Sequence, residues 1–185
     1  STWERGADLV TDFPAPPVVA KIKHDGKEVD AVIQTSKQGF VYLFDRPTGK
    51  PLFPIEYKKY PKSELPGEVT ADEQGLPTRP APYARQLLTA DLLTNRTPEA
   101  HKWAVEQFKN MESAGQFVPF GTKQPTAIFP GFDGGAEWGG PAFDPETGIL
   151  YVNANDIPWV AQLAENTAKD LSGKSIYQTQ CSICH

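Results

Sequence analysis

Between Val18 and Phe53, short apolar runs alternate with turn residues, and nothing in that stretch has a helical period. Val18-Val19-Ala20-Lys21-Ile22-Lys23 leads through His24-Asp25-Gly26-Lys27 to Asp30-Ala31-Val32-Ile33-Gln34-Thr35. An Asp-Gly pair flanked by β-branched residues is a strong hairpin signal. Gly39-Phe40-Val41-Tyr42-Leu43-Phe44 supplies a third strand, Asp45-Arg46-Pro47-Thr48-Gly49 a turn, and Lys50-Pro51-Leu52-Phe53 a candidate fourth strand. Three or four antiparallel strands in succession make a meander, the local unit of sandwiches, barrels and propellers. The chain is therefore expected to be all-β at its N-terminal end.

The turn after the third strand has a second copy. Ala142-Phe143-Asp144-Pro145-Glu146-Thr147-Gly148-Ile149-Leu150-Tyr151-Val152 repeats Asp-x-x-Thr-Gly at a distance of 99 residues, again between apolar strands. In such a turn the Asp carboxylate can accept nearby backbone N–H groups, and Gly supplies the positive φ that reverses the chain. The repeat resembles the turn of quinoprotein β-propellers, A-x-D-x-x-T-G-x-x-x-W, which docks one blade on the next. Val152 stands where that pattern closes with Trp.

The segment between the copies has a different character. Residues 54–82 are rich in proline and charge with no sustained period, which predicts an extended surface excursion. Thr89-Ala90-Asp91-Leu92-Leu93 reads as a short helical turn. Thr97-Pro98-Glu99-Ala100 then combines an N-cap, a proline at the first helical position and an acid in the first turn, so a helix should start there. Ala100, Trp103, Ala104, Phe108 and Met111 form one apolar stripe expected to pack on the sheet, with Trp103 in the core and Gly115 ending the helix. The region 89–115 is thus a helical insertion.

Two cysteines remain to be explained. Cys181-Ser182-Ile183-Cys184-His185 is the C-x-x-C-H attachment pattern of c-type haem: Cys181 and Cys184 would add to the vinyl groups, and His185 would ligate the iron. A thiol redox pair and a zinc site are the rival readings. The first ordinarily follows a strand, and the second needs two more ligands when only His24 and His101 are left among the histidines. Ser172 is a candidate N-cap for a helix running into the motif. With Gly173 and Tyr177 at matching positions, this segment resembles the first helix of class I cytochromes c.

Composition narrows the function. With 18 basic against 23 acidic residues the chain carries a formal charge of −5, which argues against a nucleic-acid footprint. No run approaches the roughly 18 apolar residues that a membrane span needs. Asp133-Gly134-Gly135-Ala136-Glu137-Trp138-Gly139-Gly140 packs four glycines around an acid and an indole. It suits either a structural glycine-rich bend or a site for a planar ligand. It lacks the strand-to-helix context of a dinucleotide fingerprint and the Lys-Ser/Thr of a phosphate loop, which disfavours a nucleotide.

Three segments taken in order carry a more specific resemblance. They are Asp12-Phe13-Pro14-Ala15-Pro16-Pro17, the run from Gln34 to Pro51 with Lys37-Gln38-Gly39-Phe40 at its centre, and Phe129-Pro130-Gly131-Phe132 followed by Asp133 to Pro141. Together they are similar to the pyrroloquinoline quinone (PQQ) dependent dehydrogenases, in particular the glucose-dehydrogenase-like branch, some members of which carry a cytochrome c domain. The resemblance implies that Lys37, on a strand, addresses the quinone's carbonyl region, where a fixed ammonium stabilises developing negative charge. It implies that Glu137 stands at a position that touches the quinone, although a carboxylate beside an anionic cofactor is repelled and would pair with Lys37 or another cation. Trp138 would border the pocket. The catalytic base of the family comes from an H-x-D-x-W-D-x-D run whose His and Trp are absent here, so Asp8 could fill the role only with a one-residue gap.

The resulting expectation is a partial β-propeller of about two quinoprotein-type blades over residues 1–160, and a linker and first helix of a cytochrome c domain over 161–185. The parent would be a periplasmic quinohaemoprotein that oxidises an alcohol or sugar by hydride transfer to PQQ, assisted by Ca²⁺. It would pass electrons to haem c and on to a downstream acceptor. The segment alone is expected to be inactive, because other blades would supply the calcium ligands. The rivals are a non-catalytic propeller serving as a structural or protein-binding module with a haem tail, and a plain electron-transfer cytochrome with a β appendage.

Overall fold

In a computed structural model, the structure describes residues 13–164, 172–178 and 182. The Asp-Gly signal is realised directly: Asp25 at φ 49° and Gly26 at φ 76° turn the chain between β1 (Val18–His24) and β2 (Lys27–Thr35). The two strands pair antiparallel from Val18 opposite Ile33 to His24 opposite Lys27. β3 (Val41–Asp45) adds to the other edge of β2, with Thr35 opposite Val41 and Ala31 opposite Asp45. Residues 50–53 do not form a fourth strand. Pro51 makes a single bridge to Phe44, and a residue without an N–H cannot extend the ladder.

Alternation along β2 puts Ala31, Ile33 and Thr35 on one buried face. Ala31, Ile33 and Val41 form a core cluster there, and Phe143 and Leu150 pack against it from a second hairpin. That hairpin is β7 (Pro141–Asp144) with β8 (Ile149–Val152). The meander and the hairpin, each with one copy of the turn, thus share one core cluster, as expected of a partial β-propeller.

Residues 54–82 depart from the expected surface excursion. They contain an antiparallel pair, β4 (Ile55–Lys59) and β5 (Glu73–Pro77), with Ile55 opposite Pro77 and Lys59 opposite Glu73. Leu76 joins Phe40, Tyr42 and Phe117 in a second core cluster, and the Tyr42 hydroxyl donates to the Gly75 carbonyl at 3.1 Å. Burial, and secondarily Tyr60, push that hydroxyl up to about 12. A further pair, β6 (Thr126–Ile128) and β9 (Trp159–Ala161), brackets everything from Phe129 to Pro158.

The insertion's helix, α1 (Pro98–Phe108), starts as its sequence predicts, with Thr97 accepting from the Ala100 N–H at 3.1 Å. It ends at Phe108 rather than running on to Gly115. Trp103 is 64% exposed, which corrects its placement in the core. The half-buried line runs through Ala100, Ala104 and Phe108 at intervals of four, and Phe108 packs on Leu88, Ala127 and Phe129; Trp103 lies on the flank of that line. α2 (Gly173–Ile176) is capped by Ser172, whose hydroxyl accepts from the Ser175 N–H at 3.3 Å. Among the described residues no helix is long and apolar enough to cross a membrane.

Candidate functional site

Lys37 stands in the turn between β2 and β3, not on a strand as the resemblance implied. The turn closes on itself through Gly39 N–H to the Ser36 carbonyl at 3.0 Å, and Gly39 takes φ 88°. Each of its carbonyls is also met from outside. The Tyr83 hydroxyl donates to Ser36 O at 2.5 Å, and the Tyr83 N–H to Gly39 O at 2.8 Å. The Gly135 N–H donates to Lys37 O at 2.6 Å. Gln86 and Gln116 both donate to Gln38 O, at 2.7 and 2.6 Å. Burial raises the Tyr83 hydroxyl well above the ordinary range, against a smaller opposing pull from its Ser36 bond, so it stays a donor.

The glycine-rich loop lies directly on this turn. Gly134, at φ 77°, passes so close over Lys37 that a Cβ there would meet its Cγ, Cβ and Cα at 2.6, 2.7 and 2.9 Å. Gly135 would meet Ala84 Cβ and Gly39 Cα at 3.0 Å. These two glycines serve close packing of backbone on side chain. Beyond them the loop is tied to the strand side by Asn155 N–H to Gly135 O and Gly131 N–H to Ile157 O.

Two of the predicted residues are thereby brought together. Lys37 Nζ stands 3.2 Å from Glu137 Oε1, with the lysine side chain 19% exposed and the glutamate 35%. The carboxylate does pair with the cation, as repulsion from an anionic ligand would require. Trp138, the next residue, is 82% exposed and presents most of its indole to the outside. Asp8, Cys181, Cys184 and His185 lie outside the described residues. Among the described residues no three His, Cys, Asp or Glu side chains gather as a metal site would require.

Chemically, the arrangement offers a partly buried ammonium whose stem is covered by Gly134 and whose head is paired with a carboxylate. An ammonium has three donors, so the bond to Glu137 does not by itself exhaust it. Such a cation suits the carbonyl oxygen of a ligand. Sequence reasoning missed Tyr83, Gln86 and Gln116, which sit in segments without periodicity and act on backbone carbonyls that leave no pattern.

The family model described as "PQQ: Glucose/ethanol/alcohol dehydrogenase, beta-propeller domain" matches residues 8–182. The chain belongs to this family. Relatives of this PQQ dehydrogenase chain include the glycerol dehydrogenase large subunit of Gluconobacter thailandicus, 30% identical over 171 residues, covering 88% of this chain and 21% of the relative. The quinate/shikimate dehydrogenase (quinone) of Acinetobacter baylyi is 30% identical over 161 residues, 86% of this chain and 20% of its own length. A more distant relative, the quinohemoprotein alcohol dehydrogenase ADH IIB of Pseudomonas putida, is 26% identical over 170 residues, 91% and 18% respectively. The chain therefore spans about a fifth of the length of these relatives. No solved structure matches it.

Proposed function

We propose that the chain is a segment of a longer PQQ-dependent dehydrogenase that oxidises an alcohol or sugar, and that Lys37 is its cation toward the quinone. The observation that carries this reading is the convergence of two distant segments of a PQQ-family chain on one ammonium: the 36–39 turn bears it, and the 131–140 loop covers and pins it. When bound, PQQ supplies the hydride-accepting chemistry. Lys37 would hold a carbonyl oxygen and stabilise the charge that develops there. Glu137 fixes the direction of the ammonium, and Trp138 offers a stacking or edge face for the ring. Ca²⁺ would be held by residues elsewhere in the longer protein, since among the described residues no three His, Cys, Asp or Glu side chains gather to ligate it.

The donor set Cys181, Cys184 and His185 is chemically complete for covalent haem c, and one relative is itself named a quinohemoprotein. We assign residues 161–185 to a linker and the opening helix of a cytochrome c domain, which would pass electrons to a downstream acceptor. Residues 1–160 form the propeller part. Covalent haem of this type, together with the family, points to the periplasm.

The test is Lys37→Ala in the full-length protein reconstituted with PQQ. Removing a preorganised donor to a developing oxyanion costs about 10²–10³ in kcat, read as dye reduction with a panel of alcohols, polyols and aldoses. A variant as active as wild type would exclude Lys37 from the reaction. A wild-type protein inactive across the panel would favour the non-catalytic propeller.

A further inference from the structure

We propose that Gln86 and Gln116, with Tyr83, are positioning residues that aim Lys37, and that clamping this turn is what the neck of the helical insertion does. This rests on the reading of Lys37 as the cation toward the quinone.

The argument starts from what a four-residue turn needs. The 36–39 turn is already closed by its own Ser36–Gly39 hydrogen bond, which leaves its other carbonyls to find water in an ordinary surface turn. Here each of the four successive carbonyls accepts from a group remote in sequence: Ser36 and Gly39 from Tyr83, Lys37 from Gly135, and Gln38 from two glutamines at once. The two amides are also linked to each other, Gln116 Nε2 donating to Gln86 Oε1, and Gln86 Nε2 reaches the Ala84 carbonyl at 2.9 Å. The peptide plane before Lys37 is thereby held by Tyr83 and the plane after it by Gly135. The two glutamines hold the next plane, between Gln38 and Gly39, and so brace from one residue away the backbone from which the lysine side chain leaves.

The donors come from telling places. Gln86 stands just before the insertion 89–115 and Gln116 just after it. The same neck is cross-tied by the Ser113 hydroxyl, which donates to the Leu88 carbonyl at 2.7 Å. The insertion's entry and exit strokes thus meet on one carbonyl next to the lysine. A lysine on a four-carbon stem pays rotamer entropy each time it is held in one place. Fixing its backbone and covering its stem with Gly134 lowers the number of directions left to the ammonium before any ligand arrives.

The experiment uses the full-length protein loaded with PQQ and compares wild type, Lys37→Ala and the double variant Gln86→Met/Gln116→Met. The double variant keeps side-chain length and loses both donors. Three quantities are read: the carbonyl stretching frequency of bound PQQ by resonance Raman, the split between kcat and KM, and Tm. A cation on a carbonyl lowers its frequency, so Lys37→Ala should raise it. The double variant should move it part-way in the same direction and lower kcat about 10- to 100-fold while KM stays within about 2-fold. A merely structural role would lower Tm and leave the frequency in place.

If the double variant keeps both frequency and kcat while Lys37→Ala changes them, the clamp is overturned and the reading of Lys37 stands. If Lys37→Ala itself moves neither, both fall together. Should the double variant not fold, Tyr83→Phe replaces it: it removes only the hydroxyl bond to Ser36 and should give a smaller shift of the same sign, and its absence would overturn the clamp.

Discussion

Gly134 shows how one missing side chain can set a site. Its φ of 77° and the 2.6 Å approach of a would-be Cβ to Lys37 Cγ are independent reasons why only glycine fits. Gly134→Ala is expected to cost about 1–3 kcal/mol of folding stability through backbone strain and clash. Gly139→Ala, where a Cβ meets nothing within 4 Å, should stay within about 0.5 kcal/mol. Urea unfolding of the two variants against wild type checks both, and equal stability for all three would mean that the loop does not rest on the lysine. At this scale the resemblance and charge repulsion together leave Glu137 to pair with Lys37 or another cation, and the structure pairs it with Lys37. Trp103 was misplaced because its apolar spacing is shared with Ala100 and Ala104, and spacing does not say where on the stripe the contact ends.

Among the elements, the two Asp-x-x-Thr-Gly turns are built alike. Asp45 accepts the Thr48 N–H at 3.1 Å and the Thr48 hydroxyl, and Asp144 accepts the Glu146 N–H at 2.9 Å and the Thr147 hydroxyl at 2.6 Å. Gly49 and Gly148 take φ 69° and 73°. The Thr147 hydroxyl, and after it the Glu146 N–H, hold the Asp144 carboxyl below its ordinary value. A depressed folded-state value means a contribution present above the unfolded carboxyl value of about 3.9 and lost as pH falls below it through the folded value. Asp144→Asn should therefore lower Tm at pH 7 and converge on wild type in acid. A Tm difference that is the same at both pH values would refute the carboxylate's part. These turns, and the β1–β2 hairpin, were legible because their chemistry is local. The β4–β5 and β6–β9 pairs were not: β4 has no alternation, being exposed at four of its five positions, and the partners of β6 and β9 lie some thirty residues apart.

For the molecule as a whole, several large apolar residues of the stretch 149–160 are exposed, Ile149, Tyr151, Ile157, Trp159 and Val160 among them. The proposed haem tail has its own check. The full-length protein made in a cell that attaches c-type haem should give a pyridine haemochrome spectrum that survives acid-acetone extraction, and Cys181→Ala/Cys184→Ala should abolish it. A wild-type protein without covalent haem would return the motif to a thiol or zinc role. The tethering of the 36–39 turn also has a consequence in time. Translation delivers Lys37 first and Gly135 last among the partners, an interval of roughly 5–20 s at typical elongation rates. Through that interval the tethers arrive one after another, Tyr83 and Gln86 early, Gln116 next and Gly135 last, so a ribosome stalled before Gly135 holds a chain whose meander can be complete while the carbonyl of Lys37 still lacks its donor.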